Sequence, residues 1–322
     1  MTKVFVPKGS TFPEIEKILT EKSVVRYPLA FRILVIGSMS ATKLRHGEYA
    51  FPAPPSGLEV WEKLVDGDVA KYQVTIPDGS TLSDIARILG DLELVEPAKF
   101  LETARSPVLP GQLGIPADTL EGFLFPDTYI LVKDMTPAEI FGVLVRRFRR
   151  KFTPEMEEKA ADAGFTLEEI VTIASIIEKE AGMDAEKPLV SAVIRNRLSL
   201  GMPLQMDPTV IYGLKKFGGS LTKKDLRKNH PYNTYLNRGL PPGPISNPGL
   251  TSLIAAVEPA DADYLYFVSR NDGSHRFSRT LREHNEAVAT YRKGKRAKPA
   301  GGSGPEESRD AAADASIPPP RP

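Results

Sequence analysis

The sequence predicts an α+β fold, and three observations predict it. A strand–turn–helix pattern occurs twice near the N-terminus, at an offset of 70 residues. From Thr136 onward the spacing of apolar residues is helical, with a wide apolar arc between residues 167 and 177. After residue 204 the chain is dense in Asn, Gln, Asp, Tyr and Pro-Gly turns, broken by short aromatic runs. Two small modules should therefore precede a larger domain, helical in its first half and strand- and loop-rich in its second.

The repeat is readable residue by residue. Pro7, Gly9, Ser10, Thr11, Ile15, Ile18 and Leu19 recur as Pro77, Gly79, Ser80, Thr81, Ile85, Ile88 and Leu89, and Val25 recurs as Val95. Val4 and Val6, like Val74 and Ile76, alternate as in a strand. Pro-Lys-Gly and Pro-Asp-Gly are turn chemistry. Ser10 or Thr11, and Ser80 or Thr81, can N-cap the helix that follows. Ile15, Ile18 and Leu19 then form a stripe at i, i+3, i+4. The unit resembles the LysM-like modules of peptidoglycan-binding proteins; a purely structural α+β repeat is the alternative. Tyr49 and Phe51 read as a strand and Leu58 to Val65 as a short helix that completes the first module. The expected boundaries are residues 1–70 and 71–105 for the two modules and 106–292 for the larger domain, after a Pro/Gly-rich junction at 107–116. Residues 293–322 hold too little apolar content to fold and should be a disordered tail.

Bulk composition excludes several classes. The 322 residues carry a formal net charge of +1, which gives no nucleic-acid footprint. No GxxxxGKS loop is present, so no nucleotide or other cofactor is called for. With no cysteine there is no disulfide and no Cys-ligated metal; the four histidines lack HExxH spacing, so no metal site is expected. The basic run Arg146, Arg147, Arg149, Arg150 and Lys151 reads as a solvated helix face. The apolar run from Leu29 to Met39 is interrupted by Arg32 and too short to span a bilayer. The chain reads as soluble, with its first strand starting almost at Met1, which leaves room for an anchor upstream.

The chemistry concentrates in GFTLEEIVTIASIIEKEAG, residues 164–182. Thr166 with Glu169 is a capping-box start, and Gly182 a natural stop. Glu178 and Glu180 share the last turn, about 200° apart on the wheel. Each borders one edge of the apolar arc, so periodicity does not choose between them. The helix macrodipole and partial burial both raise the pKa of a carboxyl placed there, as a general acid requires near neutral pH. LQMDPTVIYG (204–213), HPYNTY (230–235), RGLPPGPISNPG (238–249), DYLYFV (263–268) and GSHRFS (273–278) add polar groups beside flat rings, which suits a pyranose. Each also has a plainer reading: Asp207 before Pro208 is a good N-cap, Tyr264 and Tyr266 could simply face outward from a strand, and His275 could be a turn residue.

The order LEGFLFPDTY, IASIIEKEA, NRL at 196–198, LQMDPTVIYG, YNTY, GLPPGPISNPG, YLYFV and the HxF of His275 resembles the endolytic murein transglycosylase family, also called YceG-like. The resemblance runs from the first repeat to about residue 291. It implies LysM-like modules followed by a mixed α/β catalytic domain, membrane-anchored and facing the periplasm or cell wall. It makes the second glutamate of EKE, Glu180, the catalytic acid/base. The implied reaction is endolytic cleavage of the MurNAc-β-1,4-GlcNAc bond of nascent glycan strands, leaving 1,6-anhydro ends and ending strand elongation. Gln205, Asp207, Tyr212, Asn233, Tyr235, Asn247 and His275 are then the expected substrate-binding residues, with glycan strands and cell-wall synthases as partners. Two departures stand out: Met206 where the family more often has Ser or Thr, and no counterpart here of the family's N-terminal transmembrane helix. A muramidase-type hydrolase using Asp207, or a non-catalytic peptidoglycan-binding scaffold, are the competing functions.

Overall fold

In the computed structural model, which describes residues 1–51, 54–218 and 220–296, both copies of the repeat take the same path. Ser10 N and Ser80 N donate to the carbonyls of Pro7 and Pro77 at 3.2 and 3.3 Å, closing the two turns. Of the two candidate caps in each copy the threonine acts: Thr11 bonds Glu14, and Thr81 bonds Asp84, as N-cap to N3 partners. The serine hydroxyls instead bond back to the proline carbonyls. Ile15 and Leu19, like Ile85 and Leu89, are buried, and Ile18 and Ile88 are half-buried. Both helices leave through a left-handed residue 70 positions apart, Ser23 (φ 56°) and Glu93 (φ 52°), so the backbone repeats even where the residue differs.

The chain divides into two compact units. The first gathers Met1–Ile76, Ile85–Thr103 and Asp127–Phe141. Strands β1 (Thr2–Val6) and β2 (Gly47–Phe51) pair antiparallel, Val4 opposite Tyr49. Between them lie helices Phe12–Glu21 and Pro28–Gly37, and helix Gly57–Asp66 follows. Val4, Val6, Leu19, Phe31, Tyr49 and Leu64 meet in one core. The strand of the second repeat, β3 (Lys71–Thr75), pairs antiparallel with β4 (Thr128–Val132), which lies beyond the Pro/Gly-rich junction. That pairing is non-local, and no local periodicity encodes it.

The second unit gathers Pro77–Asp84, Ala104–Pro126 and the described residues from Gly142 onward. Helix Leu167–Glu180 is its centre and packs against helices Pro154–Asp162, Lys187–Ser199, Asp207–Gly213 and Leu250–Val257. The strand-rich second half expected from the aromatic runs reduces to one hairpin, β5 (Tyr266–Ser269) with β6 (His275–Ser278). Among the described residues the remainder of that half is helix and long loop, whose backbone contacts, such as Gln205 N to Thr234 O, are isolated and form no further ladder. Helix Leu281–Arg296 runs into the segment expected to be a tail; from residue 297 that segment lies outside the described residues. Among the described residues no helix is long and apolar enough to cross a membrane.

Candidate active site

Helix Leu167–Glu180 begins with a complete capping box: Glu169 N donates to Thr166 Oγ1 at 3.2 Å, and Thr166 N donates to Glu169 Oε2 at 2.8 Å. Residues Ile170 to Ile177 are all buried, including Thr172 and Ser175. These two satisfy themselves on the helix, donating to Glu168 O and Thr172 O at 2.7 Å each. Ser175 Oγ also accepts from Ile245 N at 3.0 Å, which fastens the Pro-Gly loop 238–249 onto the helix. The helix stops because Ala181 turns extended (φ −91°, ψ 113°). Gly182 does not adopt the left-handed cap that its position suggested.

The two glutamates that the helical wheel left equivalent are unlike in the fold. Glu178 Oε2 accepts from Gly249 N at 2.9 Å and Ser252 Oγ at 2.6 Å. It thus caps the N-terminus of helix Leu250–Val257 from another element. Lys187, 4% exposed, holds the same carboxylate at 3.4 Å. The Glu180 carboxyl accepts no hydrogen bond and makes no ion pair among the described residues. Burial pushes it up to about 8; the charge of Asp207 adds to that rise and the Arg197 guanidinium opposes it.

Asp207 faces this carboxyl from the start of helix Asp207–Gly213. It does not N-cap that helix: Met206 is the cap residue, without a side-chain cap bond. The Asp207 carboxylate is drawn away instead by the Tyr235 hydroxyl, which donates to Oδ1 at 2.6 Å. Burial raises the Asp207 pKa, and the Tyr235 hydrogen bond opposes the rise. Burial and the neighbouring Asp207 in turn raise the Tyr235 phenol. The two loops that carry this pair are stitched together by Thr234, 1% exposed. Thr234 O accepts from Gln205 N at 3.0 Å, and Thr234 Oγ1 accepts from Met206 N at 3.0 Å. Gln205 stands at φ 52°, a left-handed backbone that costs a non-glycine residue about 1 kcal/mol. Met206 is buried, so the family departure at this position points into the core.

The other expected site residues lie in separate clusters of this unit. Asn233, 1% exposed, donates through Nδ2 to Leu226 O and Lys228 O, and its Oδ1 accepts from Tyr235 N at 3.0 Å. Its amide shapes its own loop. Asn247 is fully buried; it bonds Ser80 O, Glu121 Oε1 and Leu124 N at 2.8, 3.1 and 2.8 Å. Tyr212 donates to Glu121 Oε2 at 3.2 Å and lies 5.0 Å from the Tyr232 ring. His275 is clamped by Glu186, through its backbone N at 2.8 Å and Nδ1 at 2.7 Å. The fold therefore brings Glu180, Asp207 and Tyr235 together, with Gln205 on the adjoining loop.

Sequence reasoning missed two buried ionisable groups. Arg197 donates to Leu265 O at 2.7 Å and Leu204 O at 2.6 Å, and its guanidinium lies 5.3 Å from the Tyr266 ring centroid. A signal existed: Val190, Ile194 and Arg197 fall at i, i+4, i+7, which puts an arginine on an apolar stripe. Glu121, 3% exposed, is pushed up to about 8 by burial, against the hydrogen bonds it accepts from Leu82 N, Tyr212 and Asn247. It stands inside the LEGFLFPDTY run, where nothing local marks it as buried. A cavity of about 430 Å³ lies beside the start of the central helix, against Phe165, Glu168, Thr172 and Pro241; Glu180 does not line it.

Comparison with known proteins identifies the family. The chain is 32% identical over 308 residues to the endolytic murein transglycosylase of Bacillus subtilis, covering 89% of this chain and 83% of that one. It is 27% identical over 320 residues to the endolytic murein transglycosylase of Streptococcus pneumoniae, of whose length the match spans 58%. The crystal structure of a YceG-like protein from Listeria monocytogenes superposes with a TM-score of 0.62 at 32% identity, covering 88% of this chain and 98% of that one. The profile of the YceG-like family matches residues 4–290, and the chain belongs to that family.

Proposed function

We propose that this enzyme is an endolytic peptidoglycan lytic transglycosylase that acts on the bond between N-acetylmuramic acid and N-acetylglucosamine, with Glu180 as acid and then base. The observation that carries the reading is the contrast in the last turn of one helix. Glu178 is consumed by a structural cap, whereas Glu180 is unpartnered with its carboxyl pushed up to about 8. A group still protonated at neutral pH can donate its proton to the bridging glycosidic oxygen.

In that step the C1–O bond breaks and the leaving sugar departs as an alcohol. Positive charge develops at C1 and is shared with the N-acetyl carbonyl of the muramic acid. The Glu180 carboxylate then takes the proton of the C6 hydroxyl of the same sugar, O6 bonds to C1, and a 1,6-anhydro end results. Glu180 is protonated again and no water is consumed. One carboxyl serves both steps, so the second carboxylate of ordinary glycosidases is not required. Arg197 stabilises the transient carboxylate, and the Asp207–Tyr235 pair sets an anionic field beside the cationic sugar. Gln205 lies on the loop nearest this pair and is assigned to the N-acetyl group. Asn233 acts by holding Tyr235. Tyr212 and Asn247 act through the buried Glu121 that both bond, and His275 through Glu186, so their part in substrate binding is indirect. The strand–helix–helix–strand order of residues 2–51 supports a LysM-like, glycan-holding role for the first module. The enzyme would act outside the cytoplasm, on nascent strands beside the cell-wall synthases.

The test is mass spectrometry of uncrosslinked glycan strands after incubation with the full chain. Internal fragments with 1,6-anhydro ends are expected. Reducing ends would make the protein a hydrolase, with Asp207 as the base that activates water; intact strands that remain bound would favour the scaffold. Asp207→Asn separates the first two independently. It removes a negative charge that raises the Glu180 pKa, so the basic limb of kcat/KM should move to lower pH while anhydro products persist. Complete loss of turnover in a folded Asp207→Asn protein would contradict the lytic assignment.

A further inference from the structure

The helix Pro28–Gly37 in the first unit is apolar on both its buried and its outer face. Phe31 and Val35 are buried in the core at 2% and 0% exposure. Its outer face is also apolar: Leu29, Ile33 and Ile36 are 72%, 66% and 59% exposed, with Tyr27 (71%) before the helix and Met39 (82%) after it. Leu29, Ile33 and Ile36 stand at i, i+4, i+7, so they form one stripe. Single exposed apolar residues are ordinary; a contiguous stripe of this kind marks an interaction surface.

The charges around the stripe say what covers it. Residues 22–46 contain Lys22, Arg26, Arg32, Lys43 and Arg45, and no Asp or Glu. Arg32 is held by Glu16 through its Nε at 3.1 Å; Lys22, Arg26, Lys43 and Arg45 are exposed and make no ion pair with a described residue. An apolar stripe flanked on both sides along the chain by cations complements a bilayer surface, with acyl chains beneath anionic headgroups. Ten residues make a rod of about 15 Å, too short to span a hydrocarbon core of about 30 Å but suited to lying in its interface. A second copy of the chain fits less well, because a two-fold contact through this face would bring both sets of cations together.

We propose that the outer face of helix Pro28–Gly37 is a membrane-interface docking surface, with Tyr27, Leu29, Ile33, Ile36 and Met39 entering the headgroup boundary and Lys22, Arg26, Lys43 and Arg45 contacting anionic lipid. The inference is independent of the glycan chemistry. It is tested by co-sedimentation of the full chain with vesicles of phosphatidylcholine alone and of phosphatidylcholine with phosphatidylglycerol. Wild type should bind the anionic vesicles at least about tenfold more tightly than the neutral ones. Ile33→Asp/Ile36→Asp should reduce that binding at least about tenfold, with thermal unfolding unchanged. Arg26→Glu/Lys43→Glu should remove the preference for anionic lipid. No vesicle binding by wild type, or binding that survives the Ile33/Ile36 double substitution, overturns the proposal. So does a concentration-dependent dimer that the same substitution dissolves, without vesicle binding, which would assign the face to a second copy.

Discussion

Glu180→Gln is expected to reduce strand cleavage by about 10³-fold or more and, at the same time, to make the protein more stable. The two effects share one cause. An ordinary glutamate titrates near 4.5, and in the fold burial pushes Glu180 up to about 8. Between those values the unfolded chain releases the proton and the folded chain keeps it. Stability contributed by this group is therefore fully present below pH 4.5 and lost as pH rises toward 8. Glutamine is neutral in both states and carries no such loss. The variant should gain on the order of 2–4 kcal/mol over wild type at pH 8, a figure that allows for partial solvent access, and almost nothing at pH 4. Thermal unfolding at the two pH values reads this directly. An equal melting temperature at both, together with surviving cleavage, would remove Glu180 from the reaction. In the wild type the same titration places the loss of kcat/KM on the basic side near pH 8, where the acid form disappears.

Two residues earlier in the same turn the expectation reverses. Glu178→Ala strips the acceptor from Gly249 N and Ser252 Oγ, and leaves Lys187, 4% exposed, with only Asp184 and Thr251. Breaking a buried ion pair from one side costs about 3–5 kcal/mol, so urea unfolding should show a loss of that size. Glu178→Gln keeps an acceptor for the helix N-terminus and should lose about half as much. Folded Glu178→Gln should retain most of its turnover. A folded Glu178→Gln that is inactive, beside an active Glu180→Gln, would exchange the two assignments.

How much of this was legible in advance divides along a physical line. Much of what depends on neighbours within about one helical turn was readable: the Thr166 capping box, the apolar arc from Ile170 to Ile177, the paired turns at Pro7 and Pro77, and the buried Ile15, Leu19, Ile85 and Leu89 stripes. These are set by backbone geometry and side-chain period, and the chain carries both in its own order. The choice between Ser10 and Thr11 as cap was not, since either hydroxyl could reach the same amide; the fold gives the serine to the proline carbonyl instead.

What only the tertiary structure decided is which polar groups are left without partners. Glu178 and Glu180 look alike to any helical wheel, and they are told apart by residues 249 and 252, more than 70 positions away. Asp207 has the sequence of an N-cap, yet a tyrosine 28 residues on claims its carboxylate. Asn233 and Asn247 look like ligand-binding amides, yet their donors end on backbone carbonyls and, for Asn247, also on the buried Glu121 carboxyl. The sequence by itself determined the repeat, the family and the buried central helix. Tertiary contacts decided the electrostatics of the site, because a pKa depends on burial and on charges brought close by the fold, and neither is a property of neighbours along the chain.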